Sequence, residues 1–387
     1  MDIFTRQDFE KLTGNTPEPC ISIYMPTIQA GQEGLQNPIR FKNRLREAET
    51  ALEQMGLKRR DIDPMLQPAR DMLDDFDWWQ HQEAGLAVFI SGEQFRRFRL
   101  PIRVAEMSIV GHAFHLVPLV ELLNHTGVFY LLALDLNNLR LFRCNRYGMS
   151  EMPLSDVDIP TSLADALRFD DPQRQLQYHS ETPGPRGGRT PLFHGQGSAA
   201  DDRRRKKDIL RFFQQVDRRL HTAFHSPEAD LLLAGGDHLI ALYRDANSYS
   251  HLLDAAVPVN PDGISDTALH ARAMEAMRPR FEKPRSDALD TFSELSGTER
   301  TSADIDRIVS GAHNSRVDTL FVTPGRQRWG RYDPNRNAVQ IHAEFEPGDQ
   351  ELLNFAAVRT LQNGGTVFAV DADGLPGEGP AAAVLRF

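Results

Sequence analysis

Cysteine is nearly missing from this chain: Cys20 and Cys144 are the only two in 387 residues. They stand far apart, each in an apolar, strand-like context. That excludes a disulfide framework and predicts two reduced core residues of a cytoplasmic protein. Long apolar runs are missing as well. No uninterrupted stretch approaches the roughly 18 residues a membrane span needs, so no membrane partner is expected. The N-terminus, Met1-Asp2-Ile3-Phe4-Thr5-Arg6, lacks a basic segment followed by an apolar one, and no secretory signal is read there.

The common catalytic signatures are absent in turn. Gly235-Gly236-Asp237 is followed by no Gly-Lys-Ser/Thr, so it is not a Walker loop, and Gly187-Gly188 lacks the strand–helix setting of a dinucleotide fingerprint. There is no nucleophile elbow and no Cys/His pair with an orienting partner. His221 and His225 lie one helical turn apart, but no glutamate follows the first and no third ligand is evident. They read as surface histidines rather than a metal site. Asp135 ends a predicted strand, as a nuclease carboxylate would, without matching acids at other strand ends. No metal and no cofactor is expected. Any catalysis must run on an amide, on backbone groups and on surroundings borrowed from a partner.

What is present is an ordinary mixture for a globular chain, 40% hydrophobic and 25% charged, long enough for two or three domains. Alternating helical patterns and short apolar strands predict an α/β protein. In the first region, Cys20 to Met25 reads as a strand ending at Pro26, followed by a helix capped by Asn37 with Pro38 at its first position and stopped at Gly56. Its apolar face is assigned to Ile39, Leu45, Ala48, Leu52 and Met55. A second helix is expected at 62–76 and a buried strand from Gly85 to Ser91. Trp78 and Trp79 are either core or an exposed partner patch.

The second region opens with a hairpin, Val128 to Asp135 and Leu139 to Cys144, turned by Asn137-Asn138. Leu231 to Gly236 is an apolar run feeding glycines, a strand entering a tight turn with a helix from about His238. Val257 to Gly263 reads as a linker. Beyond it come helical patterns near 265–281, 284–297 and 302–312, a strand from Val317 to Val322, a helix near 349–363, and strands at Thr366 to Val370 and Ala382 to Phe387. The expected partition is 1–122, 123–256 and 257–387, each an α/β domain.

Between the hairpin and the Leu231 strand lies the segment that packing explains poorly. Ser180 to Pro191 is rich in glycine and proline, a stretch that neither helix nor strand holds. It leads to His194-Gly195-Gln196-Gly197-Ser198. Glycine lets backbone approach a neighbour closely, and glutamine offers donor and acceptor without a tuned pKa. Next, Arg203-Arg204-Arg205-Lys206-Lys207 opens a helix whose apolar residues Ile209, Phe212, Phe213, Val216 and Leu220 recur at i, i+3, i+4, i+7 and i+11. The whole chain carries a net charge of −10, yet residues 186–219 carry a net +6. Beside the Gly-Gln tip, that run reads as a phosphate-facing patch that includes Arg186 and Arg189.

These residues resemble a known group. Gly195-Gln196-Gly197-Ser198-Ala199-Ala200 leading into Arg203–Lys207, then the apolar run Leu231 to Gly235, are similar to the catalytic domain of archaeal and eukaryotic class I peptide-chain release factors and of the related Pelota proteins. Phe292-Ser293-Glu294-Leu295 before Gly297-Thr298, then Val317 to Val322, Leu352-Leu353, Gly364-Gly365-Thr366 and the ending Ala383-Val384-Leu385-Arg386-Phe387 extend the likeness over about two-thirds of the chain. Within that group the chain looks like the bacterial archaeo-eukaryotic release factor family. The resemblance implies an RNase H-like middle domain and a C-terminal α/β sandwich similar to release-factor domain 3.

It also implies ribosomal partners, rRNA and peptidyl-tRNA, with Gln196 and Gly195 as the catalytic pair and His194, Gly197 and Ser198 at the loop tip. Arg203, Arg204, Arg205, Lys206 and Lys207 would then contact RNA phosphates. His194 stands where the family has its first glycine, and region 1–120 shows no Asn-Ile-Lys-Ser-like codon-reading element. The implied role is therefore peptidyl-tRNA hydrolysis in ribosome rescue without codon reading; whether a GTPase accompanies it is not legible. The alternatives are a non-hydrolytic ribosome- or RNA-binding factor of Pelota type and a protein-interaction scaffold.

Overall fold

Among the described residues the apolar runs of the sequence become strands of four sheets, and the helical periodicities cover their faces. The computed structural model describes residues 4–14, 17–29, 32–123, 127–170, 199–224 and 228–387. The chain divides into two units: Thr126–Glu282, and a second in which Met1–His125 and Lys283–Phe387 come together.

The chain enters the second unit through α1 (Arg6–Leu12), closed at its N-terminus by a capping box between Thr5 and Asp8. There follow β1 (Cys20–Pro26), α2 (Asn37–Gln54), α3 (Arg59–Asp71), α4 (Phe76–Gln80), β2 (Gly85–Ile90), β3 (Phe95–Leu100), β4 (Met107–Gly111) and α5 (Val120–Leu123). The strands form an antiparallel sheet in the order β3-β2-β1-β4. Because side chains alternate along a strand, Ile21, Ile23 and Met25 face α2 and α3, where they join Phe41, Leu45, Leu52, Ile62 and Leu66.

Two local readings change here, and an open one is decided. Asn37 does not cap α2; its side chain is buried and bonds both the N–H and the carbonyl of Ile28 (3.2 and 2.9 Å). Ile39 is 62% exposed and Phe41 takes the core position instead. Trp78 and Trp79 are buried: the Trp79 indole N–H donates to the Met72 carbonyl at 2.8 Å, and the guanidinium groups of Arg97 and Arg99 lie 4.6 and 4.7 Å from the Trp78 ring centre. The tryptophan pair is core and not an exposed partner patch.

The unit Thr126–Glu282 contains β5 (Phe129–Leu134), β6 (Arg140–Asn145), β7 (Gly148–Met152), α6 (Leu163–Asp170), α7 (Ala199–Ala223), β8 (Asp230–Gly235), α8 (Asp237–Ala246), β9 (Leu252–Pro258) and the first part of α9 (Asp266–Glu294). Its sheet runs β7-β6-β5-β8-β9, with antiparallel hairpins on one side of β5 and parallel β8 and β9 on the other. That is an RNase H-like order. Both faces are covered. Tyr130, Leu132 and Leu134 pack with Phe212, Phe213, Val216 and Tyr243 of α7 and α8. Phe129, Leu131 and Ala133 pack with Leu269, Ala273 and Met277 of α9. The segment after 256, read from the sequence as the start of the third region, thus packs on the middle sheet. The two helices expected at 265–281 and 284–297 are one, which runs through Pro279 and Pro284. A helix can absorb proline, which removes one hydrogen bond, when burial along its face holds it.

The remaining elements return to the second unit: β10 (Thr301–Ser302), α10 (Ile305–His313), β11 (Val317–Val322), β12 (Trp329–Asp333), β13 (Ala338–His342), β14 (Gln350–Glu351), α11 (Leu352–Gln362), β15 (Thr366–Ala369) and β16 (Ala381–Leu385). The sheet β10-β16-β11-β15 has Phe292 at the end of α9 against Phe321 and Val384 on one face; α10 and α11 pack together beside it. A small antiparallel sheet, β13-β12-β14, stands separately. This half is bonded to the N-terminal half. The Asn354 side chain accepts from Leu116 N–H (2.6 Å) and donates to Phe114 carbonyl (2.9 Å), and Arg6 donates to the Leu361 carbonyl at 2.7 Å. Cys20 and Cys144 are both free and buried.

Candidate functional site

Helix α7 places the basic run. Its apolar stripe begins at Ile209 and continues through Phe212, Phe213, Val216 and Leu220, all buried in the core of the middle unit. N-terminal to Ile209 the stripe stops: Asp202 through Lys207 are all exposed. A helix lying on a core buries a residue every third or fourth position, so six exposed residues in a row mean that this end projects beyond the packed face. At a rise of about 1.5 Å per residue, residues 199–207 extend roughly 13 Å. Arg203, Arg204, Arg205, Lys206 and Lys207 therefore point around the whole circumference of a projecting helix. Among the described residues none of the five carries an ion pair. Farther along the helix the pattern differs: Arg219 is paired with Asp158 at 3.4 Å.

The C-terminal half of α7 is pinned by a buried carboxylate. Asp217 accepts from the Ser248 N–H (3.1 Å) and hydroxyl (2.6 Å), which ties the loop after α8 to the helix. Tyr243 lies in the same core, and burial together with the Asp217 charge raises its phenol well above the ordinary range. Beneath α8, Gly235 closes β8. A Cβ there would stand 2.9 Å from the Leu134 Cβ and 3.1 Å from the Leu134 carbonyl oxygen. The glycine read as the entry to a tight turn is thus required by the close approach of β5.

The structure places the sequence candidates unevenly. Gly195, Gln196, His194, Gly197, Ser198, Arg186 and Arg189 lie outside the described residues. Arg203 to Lys207 are brought together on the projecting end of α7. The His221–His225 pair falls partly outside the described residues. Asp135 has a local role: its carboxylate accepts from the N–H groups of Asn137 (2.7 Å) and Asn138 (3.2 Å), an Asx turn that shapes the β5–β6 hairpin.

Two polar clusters in the other unit carry no sequence signature. His342, Glu346 and Asp349 are the one group of three or more potential metal ligands among the described residues. Asp349 is buried, and burial opposes its ionisation. Bonds from His342 Nδ1 (2.7 Å), the Glu346 N–H (3.0 Å) and Arg331 Nε (3.2 Å) outweigh that and hold the carboxyl below its usual range. This is an ion-pair knot that fastens the β13–β14 connection to β12. The second cluster, His115 with Glu351, lines a cavity between β4 and α11. A lone histidine and a lone glutamate 236 positions apart have no spacing by which sequence could join them.

Residues 129–279 match the family described as Bacterial archaeo-eukaryotic release factor family 7. That span holds the whole sheet of the middle unit, α7 and the Gly195-Gln196 segment, and the chain is release-factor-like there. No curated protein matches the sequence. Among solved structures, an archaeal translation termination factor, aRF1, is similar at 14% identity over 99% of each chain, with a TM-score of 0.26. Pelota of Archaeoglobus fulgidus is 13% identical over 78% of this chain and 79% of its own, with a TM-score of 0.32. Dom34 of S. cerevisiae, described as a translation termination-like factor, is 10% identical over 76% and 74%, with a TM-score of 0.35. Among the described residues no helix is long and apolar enough to cross a membrane.

Proposed function

We propose that this chain is a ribosome-associated factor that releases nascent peptides by hydrolysing the peptidyl-tRNA ester, without reading a codon. One observation carries the reading: a basic helix end, without acidic partners among the described residues, projects from a release-factor-family domain directly after Gly195-Gln196. Exposed cations of this kind suit a polyanion, because neutralising phosphates releases condensed counterions. Such contacts position a protein on RNA without sequence readout.

The chemistry then needs little from the chain itself. Ester hydrolysis requires an oriented water and stabilisation of the developing oxyanion. Gln196 supplies an amide that holds water, or a backbone N–H that faces the oxyanion, while rRNA and the terminal ribose complete the site. Gly195 and Gly197 let the backbone pass close to RNA. The stretch 182–198 spans up to about 50 Å when extended at ~3.3 Å per residue, so reach does not limit delivery. The cytoplasm is the compartment this work requires.

The test is nascent-chain release from purified stalled ribosome complexes by the wild type and by Gln196→Ala. Release by the wild type alone supports the hydrolase. Release by both removes Gln196 from the mechanism. His194, in place of the family's first glycine, favours one rival: a factor that binds the ribosome and leaves the ester intact. Silence from both proteins with binding retained would establish that rival.

A further inference from the structure

The N-terminal sheet has an open side. In the order β3-β2-β1-β4, strand β3 stands at the edge, and among the described residues no strand lies beyond it. The hairpin that carries β3 fixes which way its backbone groups point. The Ser91 N–H donates to the Gln94 carbonyl at 2.8 Å, so these two form a hydrogen-bonded pair. Bonded and non-bonded pairs alternate along an antiparallel ladder. In the observed register Arg96, Phe98 and Leu100 therefore bond Phe89, Ala87 and Gly85 of β2. Phe95, Arg97 and Arg99 turn their N–H and carbonyl groups outward. The other side of β2 agrees with this. The Thr27 N–H donates to the Ala84 carbonyl, which directs the backbone groups of Leu86, Val88 and Ile90 toward β1 and away from β3.

The outward groups recur at every second residue, about 6.8 Å apart at a rise of ~3.4 Å per residue. The side chains beside them are basic. Phe95-Arg96-Arg97-Phe98-Arg99-Leu100 holds three arginines and no acid, and Arg103 follows shortly after. The acid nearest in sequence, Glu93, belongs to the hairpin turn. These arginines are satisfied unevenly. Arg97 is paired with Asp75 at 3.0 Å and lies over the Trp78 ring. Arg99 lies over the same ring and donates to the Trp78 carbonyl at 3.3 Å, with no carboxylate against it among the described residues. Arg96 is half-buried, and its buried Nε has no hydrogen-bond partner there. Arg103 is exposed. One strand edge thus combines free donors and acceptors at strand spacing with positive charge that its own surroundings do not neutralise.

We propose that β3 is a docking edge for an extended acidic segment of a partner protein, which joins the sheet as a fifth strand. Its backbone would pair with the outward groups of Phe95, Arg97 and Arg99, and its carboxylates would face Arg96 and Arg99. Opposite charges across a strand pair are favourable and like charges unfavourable, so a second copy of this basic edge is a poor occupant. Nucleic acid is a poor one too. Phosphates supply acceptors only, which leaves the three outward carbonyls without donors. Charge on an edge strand ordinarily discourages indiscriminate pairing; here the same charge selects a strand of opposite sign. The edge belongs to the other unit from the Gly-Gln segment, so its test does not depend on peptide release.

The probe is the end-blocked peptide Glu-Val-Glu-Val-Glu-Val-Glu, carrying a fluorophore and titrated into the full-length protein at low salt by fluorescence anisotropy. Its counterparts are the lysine-for-glutamate peptide and the acidic peptide methylated on every backbone nitrogen. The expected result is saturable binding of the acidic peptide, at least tenfold tighter than either counterpart. Arg96→Glu should weaken it at least tenfold, with circular dichroism checking that the variant folds. Amide exchange in the wild type, followed by NMR, locates the contact without any substitution. It should slow at Phe95, Arg97 and Arg99 when peptide is added and stay unchanged at Arg96, Phe98 and Leu100, which β2 already holds. Failure of the acidic peptide to bind would overturn the proposal, as would equal affinity for the methylated peptide or wild-type affinity in Arg96→Glu. Protection confined to other parts of the chain, such as the basic end of α7, would overturn it independently. An oligouridylate that protects Phe95, Arg97 and Arg99 where the peptide does not would make the edge an RNA contact instead.

Discussion

The two units handle charge in opposite ways. In the middle unit five cations stand together in solvent at the projecting end of α7, with no ion pair among the described residues. In the other unit two ionisable groups, His115 and Glu351, are sealed within one cavity wall and shifted by burial toward their neutral forms. The contrast teaches what each arrangement can do. Exposed cations cost almost nothing to keep, act through a field that salt screens within about 10 Å, and bind a polyanion with little geometric demand. Buried ionisable groups are costly to keep charged, so burial pushes them toward neutrality and local hydrogen bonds hold them in place.

Four measurements break or sharpen that comparison. The largest effect belongs to Gln196→Ala, for which release should fall about 10²–10³-fold, the usual loss for one oriented transition-state donor. Ribosome binding should be unchanged, since the binding charge sits elsewhere; co-sedimentation run beside the release assay checks both halves. Next comes reversal of Arg203–Lys207 to glutamate. Binding should weaken, and the slope of log affinity against log salt should flatten by about 0.7–0.9 for each phosphate no longer neutralised. An unchanged slope would remove these residues from the interface.

Third, Asp217→Ala removes the buried carboxylate that ties the loop after α8 to α7 and should cost about 1–3 kcal/mol in urea unfolding. The projecting end of α7 should remain helical by circular dichroism, because the pin and the charge run lie at opposite ends of the helix.

The smallest effect is a pH slope in the buried pair. His115, lowered from 6.5 to about 4, contributes stability that is present above pH 6.5 and lost as the pH falls toward 4. Glu351, raised from 4.5 to about 7, contributes stability that is present below pH 4.5 and lost as the pH rises through 7. The two oppose one another between pH 4.5 and 6.5. The stability gap between wild type and His115→Gln should therefore widen with rising pH in that window, by at most about 1.4 kcal/mol per unit. The gap to Glu351→Gln should narrow. Parallel stability curves would place both groups in contact with water.

How much of this was legible in the residues depends on the range of the interactions. The α7 stripe from Ile209 to Leu220, the β5–β6 hairpin and the apolar run of β8 are periodic patterns, and a period is local information. The match of residues 129–279 to a release-factor family also rests on the order of residues along the chain. Errors arose where a distant partner overrode a local rule. Asn37 is an able helix cap, yet Ile28 claims its side chain. The helical patterns at 265–281 and 284–297 are separated just before Pro284, yet α9 runs through that proline.

By itself the sequence therefore determined the α/β class, the principal strands β1, β2, β5, β6, β8 and β11 and the basic segment that follows Gly195-Gln196. These rest on propensity, periodicity and charge, which neighbours along the chain set. Tertiary structure alone decided that the two chain ends share a unit, that the cations of α7 project beyond its apolar face, and that His115 and Glu351 meet in one cavity. Each of these depends on contacts between residues far apart in the chain, where close packing chooses the neighbour and no spacing announces it.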